Sequence, residues 1–371
     1  AILSNISIPL LGLVDAAILG HLGSTRYLGA VAIGSALLSF LYWGFSFLRM
    51  GTTGLVARAM GEGDRQRASL VLAQSGVLAL LLAALVIVLH PLWLGLGFAF
   101  MAPQPELRGL ADSYASIRIA SAPAVLVTYV VVGWCIGRQD TRWPMAIVVL
   151  TNGANIGLDF LLIVGLGMAS DGAALATVIA EYTGCALALY VAWRYHPQLA
   201  GPGFTALLQQ ASTYKQLLRS NRHLFVRTMA LLFSFAFFTA AGEKMGAQVL
   251  AANTLMMHLL MLAAYGMDGF AFAAEGLTGH RLGARDLAGF HAVVRRCSLW
   301  CAATAALLSA AFLALQDSLL SVLTDIDAVS AIMACYYPWL VLLPLAAAPS
   351  YLLDGVFIGS AATRFMMSTM L

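Results

Sequence analysis

Short motifs in this chain recur at a constant separation of 222 residues, and this repeat limits its possible folds more than any other feature. The matched sets are Gly61-Glu62-Gly63-Asp64 with Gly283-Ala284-Arg285-Asp286, Gly133 with Gly355, Gly137 with Gly359, and Thr141-Arg142 with Thr363-Arg364. Chance matches between apolar segments would drift, whereas these residues keep their register. The sequence therefore predicts one structural unit that is used twice.

The repeated unit is strongly apolar. Hydrophobic residues make up 61% of the chain and charged residues 10%, and the mean hydropathy is +0.87. These values exclude a water-soluble globule and predict an all-α integral membrane protein, whose spanning helices each need about 20 mostly apolar residues. The predicted helices lie at 1–20, 28–57, 68–95, 113–137, 143–165, 172–193, 224–242, 249–280, 290–316 and 331–359, with the start of an eleventh at 365–371.

The repeat also predicts how the chain is organised. Position 371 corresponds to position 149, and the first half runs on to about 221, so we expect a chain truncated at its carboxyl end to about ten to eleven of twelve helices. We predict a first lobe at 1–200, a cytoplasmic linker at 201–222 and a second lobe at 223–371. These lobes would be two pseudo-symmetric six-helix bundles related by an axis along the membrane normal.

Basic residues are distributed very unevenly between the two sets of loops. Fifteen of the twenty Lys and Arg residues fall on the side of the 201–222 linker; this count places Arg227 on that side and Arg118 on the other. By the positive-inside rule, both termini and the linker are expected to be cytoplasmic. Because topology accounts for the net charge of +3, we expect no nucleic-acid partner.

Several function classes lack their sequence signatures. There is no GxxxxGK[ST] phosphate loop, so an ion gradient is the expected energy source rather than ATP. The five cysteines lie in apolar segments without CxxC or metal-ligand spacing, and we interpret them as packing residues. A membrane-embedded enzyme would need a cluster of the HExxH, GxGD or DDxxD kind, and we expect none. The chain is therefore predicted to be neither an enzyme nor dependent on a cofactor.

Acidic residues within the predicted spans are the best candidates for function. Each costs about 2.5–3.5 kcal/mol at the bilayer centre on insertion scales. The candidates are Asp15, Asp159, Glu181, Asp268, Glu275 and Asp354. We identify only Arg49 as a base within the spans, so several of these acids are expected to be protonated or to hold a cation.

The first half contains the most distinctive cluster. Asn155 and Asp159 are four residues apart and share one helix face, as do Thr177 and Glu181 on the next helix. Together with Asp15, they could surround a polar cavity that binds a proton or Na⁺ through oxygen ligands. The alternative is that they only form hydrogen bonds between helices.

The second half offers a different set of acids. Asp354 is predicted to line a cavity beside a proline-kinked helix, the alternative being a water-exposed helix end. Asp268 and Glu275 are seven residues apart and lie on one helix face. Since Arg49 corresponds to position 271, we hypothesise that it pairs with Asp268 or Glu275 across the two halves and latches one access state.

Several motifs together resemble the multidrug and toxic compound extrusion (MATE) transporters, and within them the DinF-like branch. They are Pro9-Leu10-Leu11-Gly12-Leu13-Val14-Asp15, Phe47-Leu48-Arg49-Met50, Gly172-Ala173-Ala174-Leu175-Ala176-Thr177 with Glu181, Asp268-Gly269-Phe270-Ala271 and Leu353-Asp354-Gly355. The resemblance covers essentially the whole chain. The acid that some branches carry in helix seven has no counterpart at 231–241.

The resemblance implies a fold of two six-helix bundles, of the kind shared with the wider MOP superfamily, in a bacterial-type inner (plasma) membrane. It implies a monomer among membrane lipids that exports small organic cations or amphipathic drugs in exchange for H⁺ or Na⁺ by alternating access. The family's coupling residues fall on Asp15, Asn155, Asp159 and Thr177, which would also form any Na⁺ site. The nearest rival is a flippase for lipids or lipid-linked oligosaccharides, which should have a cationic central cavity.

Overall fold

The structure, a computed structural model, describes residues 25–195, 211–324 and 326–370, together with Ile18. Apart from Ile18, the predicted first helix, with Asp15, lies outside the described residues. The helices within these ranges are α1 (Thr25–Gly44), α2 (Phe47–Gly61), α3 (Arg65–Val88), α4 (His90–Met101), α5 (Pro105–Arg118), α6 (Ala122–Gly137), α7 (Arg142–Asp159), α8 (Ala169–Tyr195), α9 (Ala211–Lys244), α10 (Ala247–Gly283), α11 (Leu287–Ala314), α12 (Gln316–Leu323), α13 (Asp327–Gly359) and α14 (Thr363–Met370).

Nine stretches of the described chain are long and apolar enough to cross a membrane, and they match the nine predicted spans from 28–57 onwards. They are Arg26–Gly61, Arg65–Val88, Pro105–Gly137, Arg142–Gly165, Ala169–Tyr195, Tyr214–Lys244, Ala247–Gly283, Leu287–Ala314 and Asp327–Gly359. The chain is therefore a multi-pass membrane protein.

Three details differ from the sequence predictions. The helix predicted at 68–95 ends at Val88, because Pro91 sits in the first turn of the separate helix α4. Helix α9 begins at Ala211, so the second part of the predicted 201–222 linker is helical. Cys335 is exposed on α13 rather than packed, whereas the other four cysteines are buried.

The sequence repeat is reproduced in the backbone. Asp64 and Asp286, 222 residues apart, each cap a helix by accepting the backbone N–H three residues later at 2.8 Å. Positive φ angles recur at the same separation, at Gly63 with Arg285 and at Gln139 with Ala361. The backbone N–H of Gly289 and the Arg281 guanidinium lower the pKa of Asp286. Both halves thus leave the membrane through the same kind of turn.

Buried apolar side chains form two clusters. One runs from Ala30 to Ala192 and takes in a few residues of later helices, such as Leu224, whereas the other runs from Ala252 to Val356. Helix α2 of the first half packs against α10 of the second between these clusters. The end of these helices that bears the 61–64 and 283–286 turns is called the basic end below.

Candidate functional site

An amide, a carboxylate and a hydroxyl meet between α7 and α8 in the first half. The Asn155 side-chain amide donates to Asp159 Oδ2 at 3.0 Å and contacts Thr177 Oγ1 at 3.5 Å, while the Thr177 hydroxyl donates to the Ala173 carbonyl at 2.9 Å. Asn155 and Asp159 are both 0% exposed. The structure therefore brings together three of the predicted coupling residues, which we call the amide–carboxylate cluster.

The local backbone helps to position this cluster. Asp159 is the last residue of α7 and is followed by a π-helical turn, Phe160–Gly165. π-helical turns interrupt regular helices and occur frequently at functional sites. The Oδ1 atom of Asn155 accepts no hydrogen bond from the part of the chain that the structure describes. Asp15, the fourth predicted member, lies outside the described residues, and its place in the cluster stays a prediction.

Glu181 forms a salt bridge with Arg118 rather than joining the amide–carboxylate cluster. Its Oε2 lies 2.8 Å from Arg118 Nη1, and the two side chains are 18% and 12% exposed. The Tyr42 hydroxyl lies 3.3 Å from Ser121 Oγ and 3.4 Å from the Arg118 carbonyl, beside this pair. The expected loop position of Arg118 is wrong, because Arg118 lies within the span Pro105–Gly137. A salt bridge therefore holds Glu181 apart from the amide–carboxylate cluster.

Arg49 on α2 forms a bidentate salt bridge with Glu275 on α10, which links the two halves. Its Nη1 donates to Oε2 at 2.9 Å and its Nη2 to Oε1 at 3.3 Å. The guanidinium also lies 4.3 Å from the ring centre of Phe272. The Glu275 side chain is only 2% exposed. The predicted pairing of Arg49 with Asp268 or Glu275 is confirmed for Glu275, and no ion-pair partner of Asp268 lies within 4.0 Å among the described residues.

Asp354 also has a basic partner. Arg227 on α9 donates to its carboxylate, and the Asp354 side chain is 26% exposed. Arg227 was likewise expected in a loop, but it lies within the span Tyr214–Lys244. The expectation that Arg49 is the only base within the spans is therefore wrong. Both missed arginines fall inside the helices predicted at 113–137 and 224–242, so their positions already carried the signal.

A third basic feature, at the basic end, was also missed. The Arg138 guanidinium lies between two aromatic rings, 4.3 Å from Trp134 and 4.1 Å from Tyr195. Burial lowers the pKa of Arg138. The indole N–H of Trp143 donates to the Tyr195 hydroxyl at 3.2 Å. These contacts link the end of α8 to the end of α6 and to the start of α7.

One enzyme pattern is present, contrary to expectation. Residues 61–64 read Gly-Glu-Gly-Asp, which matches GxGD. Asp64 is exposed and caps α3 with its side chain, and the matching turn in the second half does the same with Asp286. The pattern therefore serves a repeated structural turn. Within the described ranges, no group of three or more His, Cys, Asp or Glu side chains is placed to hold a metal ion.

Comparisons with known proteins agree on one family. The MatE family model matches residues 1–184 and 224–371. The chain is 37% identical over 369 residues to the DNA damage-inducible protein F of Escherichia coli (strain K12), covering 100% of this chain and 80% of that protein. It is 28% identical over 198 residues to the probable multidrug resistance protein NorM of Thermotoga maritima, covering 51% of this chain and 42% of that protein.

Solved structures share the fold. A multidrug resistance MATE family transporter of the MOP superfamily, solved in an outward-facing conformation, superposes with a TM-score of 0.89 at 20% identity and covers 99% of this chain and 82% of its own. A MOP superfamily transporter from Pyrococcus furiosus, described as having a binding pocket of reverse polarity, superposes with a TM-score of 0.85 at 21% identity and covers 99% and 83%. The predicted fold class is thereby confirmed.

Proposed function

The chain belongs to the MatE family of membrane transporters, as a DinF-like member, and from this premise we propose that it is a secondary active multidrug efflux transporter driven by an ion gradient. It exports amphipathic, mostly cationic organic compounds by alternating access and takes up H⁺ or Na⁺ in exchange. It carries no cofactor and catalyses no covalent step.

The buried amide–carboxylate cluster is the observation that carries this proposal. An ionised carboxylate is costly to bury, so Asp159 favours a state in which it binds a proton or a cation. The amide of Asn155 and the hydroxyl of Thr177 supply neutral oxygen atoms beside it, which suit a hard cation such as Na⁺. We propose that Asp15 completes this coupling site.

Coupling follows from competition between the two ligands. If the ion and the organic cation favour different conformations, occupancy by one lowers the affinity for the other. Glu181, held by Arg118, supports the same lobe. We further propose that Asp268 and Asp354 line the substrate path in the second lobe. The Arg49–Glu275 salt bridge joins the halves and favours the conformation seen here.

We propose a topology that follows the predicted lobes at 1–200 and 223–371. The basic end and both termini face the cytoplasm of a bacterial-type inner membrane, because arginines concentrate there. The protein acts as a monomer among membrane lipids. Reporter fusions after Tyr195 and after Met370, compared with one at Met101 on the opposite side, test this orientation.

Dye transport in everted vesicles tests the function, because export from the cytoplasmic face then carries the dye into the vesicle. Vesicles carrying the protein are given either a pH gradient or a Na⁺ gradient, and fluorescence of an organic cation is followed. We expect one gradient to drive export by the wild type and not by Asp159→Asn. A matched control is Asp171→Asn, which removes a carboxylate that Ser113 binds at 2.9 Å at the start of α8. Equal export by a well-expressed Asp159→Asn variant would contradict the proposal.

A flippase for lipids or lipid-linked oligosaccharides is the second candidate. Arg49, Arg118 and Arg227, whose side chains lie in the spans and are only 12–13% exposed, favour it, since such a substrate carries phosphate. Each of these three is, however, held by a carboxylate in the described structure, so none of them offers an unpaired positive charge to a phosphate. Export of no organic cation under either gradient, together with movement of a fluorescent lipid-linked phosphate, would favour this candidate.

A further inference from the structure

The basic end contains a set of glycines that bring the two halves into backbone contact. A Cβ atom added to Gly54 would lie closer than 3.0 Å to the carbonyl oxygen of Ile358, and one added to Gly276 would do the same at Ile136. Gly54 lies on α2 and Gly276 on α10, whereas their partners belong to the opposite half. Real Cβ atoms essentially never approach that closely, so no other residue fits without a shift.

A second pair of contacts lies seven residues further along each helix, nearer the membrane surface. A Cβ atom on Gly61 would clash with the carbonyl oxygen of His280, and one on Gly283 with that of Arg58. These two contacts join α2 directly with α10, whereas those of Gly54 and Gly276 join α2 with α13 and α10 with α6. The four positions, Gly54, Gly61, Gly276 and Gly283, are called the gate glycines below.

The contacts of the gate glycines are related by the repeat. Gly54 and Gly276 are 222 residues apart, and their carbonyl partners, Ile136 and Ile358, are 222 apart as well. The same holds for Gly61 with Gly283 and for their partners, Arg58 with His280. The interface is therefore self-complementary, as across a two-fold axis. Duplication alone would keep contacts within each half, whereas these contacts link one half to the other.

The salt bridge between the halves lies directly inward of these glycines. Glu275 precedes Gly276 on α10, and Arg49 lies five residues before Gly54 on α2. The side chains of Glu275 and Arg49 are 2% and 13% exposed, so the pair is largely buried. Glycine contact and ion pairing thus occur together.

We propose that the gate glycines form the seal that closes the basic end, and that they are required only in the conformation seen here. This inference rests on the alternating access of the proposed function. A backbone carbonyl cannot turn aside as a flexible side chain can, so a methyl group at a gate glycine must push whole helices apart. The other access state, in which the halves separate at this end, accommodates that methyl group.

Glycines elsewhere in the chain provide matched controls. Gly133 meets the carbonyl of Arg49 and Gly355 meets that of Ala271, so these two contacts lie within one half and should be needed in every state. Gly153 and Gly157 face open space. The same Gly→Ala change therefore tests the seal at a gate glycine and packing within one half at Gly133 or Gly355. At Gly153 or Gly157 it tests neither and serves as the control.

The test measures the distance between the halves in the full chain. Spin labels are placed on the exposed positions Arg65 and Leu287, at the basic ends of α3 and α11, in a variant without native cysteines. Pulsed electron paramagnetic resonance then gives the distance distribution for the parent, Gly54→Ala, Gly276→Ala and Gly61→Ala. We expect a longer distance to gain population by about tenfold or more in each gate variant, and no change in Gly157→Ala.

Three results would overturn the proposal. The distribution could be unchanged in folded gate variants, or Gly157→Ala could shift it equally. Alternatively, Gly54→Ala, Gly276→Ala and Gly61→Ala could all fail to fold, as expected for Gly133→Ala, which would make them packing residues of both states. The distance is measured without transport, so the two proposals can fail separately. An unchanged distance in the gate variants, together with normal dye efflux by the wild type, refutes only the gate. A shifted distance in the gate variants, together with no ion-driven efflux by the wild type, refutes only the proposed function.

Discussion

Arg49, Arg118 and Arg227 lie in the spans with side chains only 12–13% exposed, and each holds one carboxylate. Removing one partner of a buried pair leaves an uncompensated charge, whereas replacing both by apolar residues is often tolerated. The three pairs can therefore be separated experimentally into those that only stabilise the fold and those that take part in transport.

The Arg118–Glu181 pair is predicted to stabilise the first lobe. Arg118→Met should lower the free energy of unfolding by about 3–5 kcal/mol, because Glu181 then remains buried without its partner. The double change Arg118→Met with Glu181→Leu should recover most of this loss and keep ion-driven efflux. Thermal unfolding in detergent and vesicle efflux check both parts. Efflux lost in a stable double variant would instead place Glu181 in the coupling site.

The Arg49–Glu275 pair is predicted to favour the closed basic end. Glu275→Gln should impair efflux while leaving each half folded, since the pair links the halves rather than the helices of one lobe. The exchanged pair Arg49→Glu with Glu275→Arg should recover part of the efflux lost in the single changes. If the exchanged pair recovers no efflux, the hypothesis that this salt bridge latches one access state is wrong.

The sequence predicted which residues belong to the candidate sites better than it predicted which partner each of them contacts. Asn155 and Asp159 were predicted to share a helix face because they are four residues apart, as were Thr177 and Glu181 on the next helix. Thr177 does contact Asn155, whereas Glu181 pairs with Arg118 instead. The partners of Glu181 and Asp354 were missed because counting charges by loop assigns a side to each arginine but not a depth. Arg118 and Arg227 both fall inside the helices predicted at 113–137 and 224–242, so the predicted bounds already excluded a loop position for either residue.

At the scale of helices, the two capped turns behave as one motif used twice. Asp64 and Asp286 cap α3 and α11 through the same backbone N–H position. The apolar patterns predicted the helices themselves, because each span needs a continuous apolar run. The prediction of one helix over 68–95 followed the apolar run and overlooked Pro91, which marks the first turn of the new helix α4.

The cap at Asp286 should depend on pH. Its pKa is lowered in the folded state by the backbone N–H of Gly289, so ionised Asp286 stabilises the helix start above its unfolded pKa of about 3.9. That contribution is lost as the pH falls through the lowered folded pKa. Hydrogen exchange at Gly289 should therefore be faster in Asp286→Ala near neutral pH. At the acid end, exchange in the two proteins should converge; equal rates near neutral pH would contradict the assignment.

At the scale of the whole molecule, the repeat in the sequence correctly predicted a repeated backbone. It could not predict that Gly54 and Gly276 touch the opposite half, because a repeat alone does not say how its copies pack. Family membership and the fold are consistent with alternating access, in which the halves seal one end at a time. Ion and substrate must then bind competitively across that change.

Binding of an organic cation dye to the purified full chain, as a function of pH and of Na⁺ concentration, tests this competition most directly. Linkage requires the dye to release the ion that it displaces. In the wild type, the dye Kd should rise when either H⁺ or Na⁺ is increased, and in Asp159→Asn it should lose that dependence. A wild-type Kd that is independent of both ions would contradict the account.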